Sequence, residues 1–213
     1  MEEIKALTHN CVFKLEPLPA GRKAIRARWL FKIKRLTNGM INHFKAQWVG
    51  KGIDFDETFS PVVHIKNLQL LLAIATALDL KIHQMDVDTA FLNAKLTEEV
   101  YIEQPEGFVD PDKPHHMCRL LKSLYGLKQA PHEWNRTLDA HLHDNDFKPT
   151  VTDPCIYIHQ QEDHQLVMIA VYIDDCMIIA PKHLLNETKN VLRRHFKMKD
   201  LGEAESVLGI EIH

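Results

Sequence analysis

Two short apolar runs, residues 166–173 and 176–180, flank a pair of acidic residues, Asp174 and Asp175. Each run is rich in β-branched residues and too short for a typical helix. The pattern predicts a buried hairpin with the two carboxylates as its turn. A second alternating pattern surrounds Asn38-Gly39, the preferred pair for a two-residue type I′ turn. Pairing Thr37 with Met40 sets a register in which Trp29 faces Trp48, Ile33 faces Phe44 and Lys32 faces Lys45. One face then carries Trp29, Phe31, Ile33, Phe44, Ala46 and Trp48 and reads as core. The other carries Lys32, Lys34, His43, Lys45 and Gln47.

Between these hairpins the periodicity changes. Leu68, Leu71, Leu72, Ala75 and Leu78 recur at helical spacing and predict a largely buried helix over 66–78. A strand is expected over 81–87, ending in Asp86 and Val87. Residues 1–20 read as a weakly helical or irregular entry, and 98–118 as a loop-rich stretch punctuated by prolines. Helices are expected over 132–146 and from Leu184 to Phe196, closed by Leu201-Gly202, with a short final strand over 206–212.

The composition is that of a globular chain with a full core: 213 residues, 45% apolar and 26% charged. No apolar run reaches membrane-spanning length, and the start lacks the basic and apolar regions of a secretory signal. Cys11, Cys118, Cys155 and Cys176 are scattered without Cys-x-x-Cys spacing and read as free thiols of a reducing compartment. The histidines His115, His116, His141 and His143 form no convincing ligand set.

A net charge of −3 conceals an asymmetry. Residues 17–53 contain no acid, and they hold Arg22, Lys23, Arg26, Arg28, Lys32, Lys34, Arg35, Lys45 and Lys51; the remainder of the chain is net acidic. Such a segment is suited to a polyanion. An anion over the ribbon would relieve the repulsion between Lys32 and Lys45, which are directly opposed.

Adjacent carboxylates carry their own cost. Two like charges about 4 Å apart repel by about 4 kcal/mol at an effective dielectric of 20. A bound cation offsets that, and hard oxygen donors favour Mg²⁺ or Mn²⁺ over zinc. Asp86 supplies a third carboxylate at a strand end, and Asp88 follows two residues later.

Five ordered motifs then carry a resemblance over nearly the whole chain. They are Val87-x-Thr89-Ala90-Phe91-Leu92-Asn93, Tyr101-Ile102-Glu103-Gln104-Pro105-Glu106-Gly107-Phe108, Ser123-Leu124-Tyr125-Gly126-Leu127-Lys128-Gln129-Ala130-Pro131, Tyr172-Ile173-Asp174-Asp175 and Met198-Lys199-Asp200-Leu201-Gly202-Glu203. Together with the Asn38-Gly39 hairpin and the segment opening at Asp56, they resemble the reverse transcriptase of copia-type (pseudovirus) retrotransposon polyproteins.

The resemblance implies an α+β right-hand polymerase, with a palm of antiparallel sheet on helices and a β-rich fingers lobe. Residues 1–213 are expected to form a single truncated polymerase domain lacking the thumb, with 1–80 mostly fingers and 81–213 mostly palm with fingers insertions. It implies RNA-directed DNA polymerisation by two-metal nucleotidyl transfer onto a primer 3′-hydroxyl. Asp86, Asp174 and Asp175 would hold two Mg²⁺ ions, Mn²⁺ being an alternative, and Lys199 would donate a proton to pyrophosphate. Phe91 matches the family's gate against a ribose 2′-hydroxyl. Lys32, Lys45, Val87, Phe91, Tyr125 and Gly126 are implied in nucleotide binding, and Gly126, Lys128, Gln129 and Tyr172 in nucleic-acid binding.

The implied partners are an RNA or DNA template with its primer, deoxynucleoside triphosphates, and the RNase H and integrase parts of a polyprotein, with no membrane. The implied location is intracellular, in cytoplasmic virus-like particles or the nucleus. The chain departs from the family pattern at Gln47, where arginine is usual, at Ala94, where glycine is common, and in a shortened 51–54 stretch. Those departures keep a second expectation open, a catalytically inactive, truncated or domesticated remnant that binds nucleic acid or a protein partner. A nucleotide cyclase is a third two-metal alternative, opposed by Phe91 and the Gly126 region.

Overall fold

The computed structural model describes residues 2–35, 39–50, 61–160, 165–207 and 210–212. In chain order these form α1 (Glu2–His9), β1 (Phe13–Glu16), β2 (Ala27–Arg35), β3 (Ile41–Gly50), α2 (Ile65–Ala77) and β4 (Lys81–Val87). A turn of 3-10 helix over Ala90–Asn93 precedes β5 (Tyr101–Ile102) and β6 (Met117–Leu120). There follow α3 (Ala130–His143), β7 (Lys148–Pro149), β8 (Ile156–Gln160), β9 (Leu166–Tyr172) and β10 (Asp175–Ala180). The last elements are α4 (Leu185–Arg193), β11 (Met198–Glu203), β12 (Ser206–Val207) and β13 (Ile210–Glu211). This is a mixed architecture of helices and antiparallel sheets.

The chain forms two compact units that interleave in sequence, one from Met1–Phe59 and Phe91–Trp134, the other from Ser60–Ala90 and Asn135–His213. In the first unit, β1, β6 and β5 make a three-stranded sheet and β2 pairs with β3 as a separate ribbon. Its core gathers Leu7, Val12, Ile25, Trp48, Ile102 and Leu124. The ribbon register places Trp29 opposite Trp48, Lys32 opposite Lys45 and Ile33 opposite Phe44, as the sequence pattern requires. Beyond Lys34 the register shifts, so that Arg35 faces Ile41 and Asn42 bulges out. Thr37 and Asn38 of the expected turn, and the 51–60 stretch with its shortened loop and family motif, lie outside the described residues.

One expectation for this ribbon fails in part. Trp48 is buried at the base, but Phe31 and Phe44 on the same face are 74% and 72% exposed. Aromatic content alone does not bury a strand face; it needs an element opposite. None of the described elements covers the outer half of this ribbon. Gln47, expected on the open basic face, is buried instead.

In the second unit a six-stranded antiparallel sheet runs β11-β4-β10-β9-β8-β7. Strands β9 and β10 are buried on both faces, which is why they read as continuous apolar runs. One face packs Met177, Ile179, Ala170 and Met168 against Leu68, Leu71 and Ala75 of α2. On the other, the Tyr157 hydroxyl donates to Asp139 of α3 at 2.9 Å, and α4 packs on β10 and β4. Asp153 anchors the start of α2, accepting from His64 N at 3.0 Å, Asn67 Nδ2 at 2.8 Å and Cys155 N at 3.0 Å.

Two elements differ from expectation here. The segment after α4 is not a helix stop followed by loop but the edge strand β11. The single strand expected over 206–212 is instead two short strands, β12 and β13, paired with each other. All four cysteines are free thiols. Among the described residues no helix is long and apolar enough to cross a membrane.

Candidate functional site

The site lies at one end of the six-stranded sheet, where β4 and the β9–β10 hairpin terminate together. β4 spans the expected residues, and Asp86 near its end is the direct cross-strand partner of Asp175 on β10. The hairpin turn is one residue earlier than the sequence suggests. Tyr172 pairs with Asp175, leaving Ile173-Asp174 as the two-residue connection. Asp175 thus belongs to the strand. Ile173 takes a φ of +59°, a left-handed conformation that β-branched residues rarely adopt. The carbonyl of Asp174 accepts from Val87 N at 2.9 Å, which ties the turn to the end of β4.

Asp86, Asp174 and Asp175 are therefore brought to one sheet end. Burial pushes the Asp175 carboxyl above the ordinary carboxylate range, and the Asp174 and Asp86 charges push it further. Gln84 Nε2 donates to it at 3.2 Å and offsets part of that rise. Burial also raises the neighbouring Cys176 thiol, to about 12, so it is no nucleophile at neutral pH. On the face that carries Asp175, a cavity of about 220 Å³ is lined by Tyr172, Gln84, Met177, Leu68 and Val207 among others.

The donor set is all oxygen and carries several like charges at one sheet end, which fits a hard divalent cation. Among the described residues no three His, Cys, Asp or Glu side chains are gathered into a ready-made cage. Mg²⁺ seldom needs one, since it keeps several waters and takes one or two carboxylates together with substrate phosphates.

Lys199 stands on β11 opposite Asp86. Its ammonium lies 3.0 Å from Asp88, and that of Lys197 lies 3.1 Å from the same carboxylate. The Asp88 hydrogen bond raises the Lys199 pKa, helped by the Asp86 charge. Burial raises Asp88, but its two lysines outweigh that and hold it below the usual range. Asp88 is a neighbour of the site that the sequence marked only as a strand-end acid. Nothing in the sequence alone pairs it with residues 197 and 199.

Behind β11 and β4 lies a second charged group. Lys189 of α4 is buried and donates to both Asp200 oxygens, at 2.8 and 3.0 Å. Its Nζ is 2.8 Å from His83 Nδ1 on β4. Arg193 reaches Asp200 at 2.8 Å. Burial and the Lys189 charge depress His83, leaving its ring nitrogen able to accept.

The remaining expected residues belong to the first unit and sit as follows. Phe91 is half-buried, its ring 5.0 Å from that of Tyr125 at 55°. Lys32 is exposed and Lys45 half-buried, paired across the ribbon. Lys128 is exposed, whereas Gln129 is 2% exposed and its amide finds no hydrogen-bond partner among the described residues. Gly126 has φ +89°, and a Cβ there would stand 2.3 Å from the carbonyl oxygen of Gly50 and 2.4 Å from Val49 Cγ1. The loop is fixed by Gly50 N donating to Tyr125 O at 2.9 Å. Its own chain thus demands glycine at 126 irrespective of any ligand.

The chain belongs to the reverse transcriptase (RNA-dependent DNA polymerase) family, whose model matches residues 10–213 and so takes in the acidic hairpin and the strand-end aspartate. It is 41% identical over 218 residues to a retrovirus-related Pol polyprotein from transposon TNT 1-94 of Nicotiana tabacum. It is 38% identical over 217 residues to the corresponding polyprotein from transposon RE1 of Arabidopsis thaliana. These alignments take in 99% and 98% of this chain but only 16% and 15% of the polyproteins. A putative transposon Ty5-1 protein of Saccharomyces cerevisiae is 38% identical over 130 residues, covering 61% of this chain and 42% of that protein. The resemblance to copia-type reverse transcriptases holds, and the chain spans about a sixth of the length of the Pol polyproteins it matches.

Proposed function

We propose that this chain is the polymerising part of a retrotransposon polyprotein, copying an RNA or DNA template from deoxynucleoside triphosphates. The observation that carries this reading is the Asp86–Asp175 pairing with Asp174 in the adjoining turn, in a chain of the reverse transcriptase family. The second unit serves as the palm and the first as the fingers. RNase H and integrase parts of the same polyprotein, inside an intracellular particle, are the expected companions.

Asp86, Asp174 and Asp175 would hold Mg²⁺ or Mn²⁺. The ions, when bound, make the primer 3′-hydroxyl a better nucleophile and neutralise charge on the leaving pyrophosphate. The chain's own residues do the rest by positioning. Lys199 holds a proton at Nζ and passes it to the departing pyrophosphate oxygen, a transfer worth about 10²–10⁴-fold in such systems. Phe91, braced by Tyr125, fills the space a 2′-hydroxyl needs. Lys32, Lys45 and Val87 are the further candidates for nucleotide binding, the two lysines by neutralising triphosphate charge. Gly126, Lys128 and Tyr172 are the candidates for nucleic-acid contact; Gln129, expected with them from the sequence, is buried and is not proposed for that role.

The test is extension of a DNA primer on an RNA template with Mg²⁺, by this chain and by a longer stretch of its polyprotein, each beside Asp174→Asn. Extension lost in the variant while the fold persists supports the reading; near-normal extension by the variant removes it. A remnant that only binds nucleic acid is the second reading, kept open by the departures from the family pattern at Gln47 and Ala94. That reading predicts salt-sensitive binding without extension even in the longer protein.

A further inference from the structure

Asp88 is the most enclosed member of a charge cluster it forms with the exposed Lys197 and Lys199. Its side chain is 20% exposed, against 85% for Lys197 and 65% for Lys199. Its main chain is fixed, since Asp88 N donates to Lys197 O at 2.9 Å and continues the ladder in which Met198 faces Val87 and Lys199 faces Asp86. One carboxylate therefore meets two ammonium groups, at 3.1 and 3.0 Å, immediately beside the strand end that carries Asp86.

A lysine on an edge strand ordinarily samples many rotamers, and holding it in one costs up to about 2 kcal/mol of side-chain entropy. An exposed ion pair of one lysine and one acid offsets little of that. Here the acid is preordered by its backbone and half-enclosed by two cations, so the cost of fixing Asp88 is met by the fold before Lys199 arrives.

We propose that Asp88 is a positioning residue that holds the Lys199 ammonium beside Asp86, with Lys197 bracing the carboxylate from the other side. This rests on the reading of Lys199 as the proton donor to pyrophosphate. The role of Asp88 is exerted through Lys199. With Lys197 as its second partner, Asp88 keeps a counter-charge when an arriving polyphosphate draws on Lys199.

The test uses the 213-residue chain and a water-soluble carbodiimide, which joins a carboxylate to an amine only where the two are in contact. Mass spectrometry is expected to find the Asp88–Lys199 amide, with Asp88–Lys197 as a companion product. Failure to find either link overturns the proposal. In single-nucleotide incorporation, Asp88→Asn is expected to lower the maximal rate about tenfold, with the apparent nucleotide affinity changed less than about twofold. Asp88→Glu should recover most of that rate, and Asp88→Asn combined with Lys199→Ala should be no slower than Lys199→Ala alone. Additive losses, or loss without rescue by glutamate, would assign Asp88 a merely structural role. Links that form in a chain with no incorporation, even within its longer polyprotein, would remove the polymerase reading and leave the clamp standing.

Discussion

Asp86 and Asp175 stand directly opposite one another on β4 and β10, like charges at a position where ladders usually place neutral or complementary pairs. Asp175→Asn is expected to raise the stability of the metal-free chain at pH 7 by about 0.5–1 kcal/mol while abolishing extension. The Asp175 carboxyl is raised in the folded state by burial and by Asp174 and Asp86, so the wild type carries no penalty below the unfolded carboxylate pKa. It loses stability as pH rises through the folded value. The advantage of the variant should therefore open across that window and stay level above it. Urea denaturation at pH 3 and pH 7 measures this, and equal stability at pH 7 would contradict it.

The contact between Phe91 and Tyr125 yields a second outcome. Phe91→Ala should admit ribonucleotides, because the ring excludes the 2′-hydroxyl by volume alone. A half-buried phenylalanine should also cost about 1–3 kcal/mol on truncation. Competition between deoxy- and ribonucleotide incorporation separates the two effects. Unchanged discrimination at comparable rate would reduce Phe91 to packing.

The contact between buried Lys189 and the exposed Asp200 should be sensitive to substitution. Lys189→Met leaves Asp200 with Arg193 and the Gly202 amide and is expected to cost about 1–2 kcal/mol, the loss of charge-assisted hydrogen bonds. Burial raises Asp200, but Lys189, the Gly202 amide and Arg193 together hold it below its usual value. The stabilisation is thus complete above the unfolded carboxylate pKa and lost as pH falls through the folded one. Thermal midpoints of wild type and variant should converge in acid and separate at neutrality. A constant gap from pH 2 to pH 7 would argue against the ion pair as the source.

Gly126→Ala tests why that loop needs glycine. Its left-handed backbone and the 2.3 Å approach to Gly50 predict a loss of about 2 kcal/mol or more without any nucleic acid present. A melting curve of the free chain decides it. An unchanged midpoint with impaired template binding would shift the requirement from the chain to its ligand.

Much of the site was legible because its strands are buried. β4 was bounded correctly, and the arms of the acidic β9–β10 hairpin followed from apolar runs interrupted by two acids. The turn slipped by one residue because Asp is the more usual turn former, whereas here Ile173 takes the left-handed position. β11 was missed since Met198-Lys199-Asp200-Leu201-Gly202-Glu203 has no apolar alternation. Edge position and ion pairs, rather than burial, make it a strand. The ribbon shows the converse limit. Alternation set its register correctly from Trp29 to Lys34, but pattern alone gave no sign that Phe31 and Phe44 would face outward.

The order of the strands in the large sheet also dictates a schedule. β4 ends at Val87, yet its two neighbours begin only at Asp175 and Met198. At a translation rate of about 5–20 residues per second, the strand carrying Asp86 leaves the ribosome on the order of ten seconds before it can be hydrogen-bonded on both edges. The first unit waits in the same way, since β1 ends at Glu16 and its partner β6 begins only at Met117, but it is complete at Trp134. Nascent chains halted between Trp134 and Met198 would carry a finished first unit and a β4 not yet paired on both edges, the species that holdase chaperones and quality-control proteases are built to find.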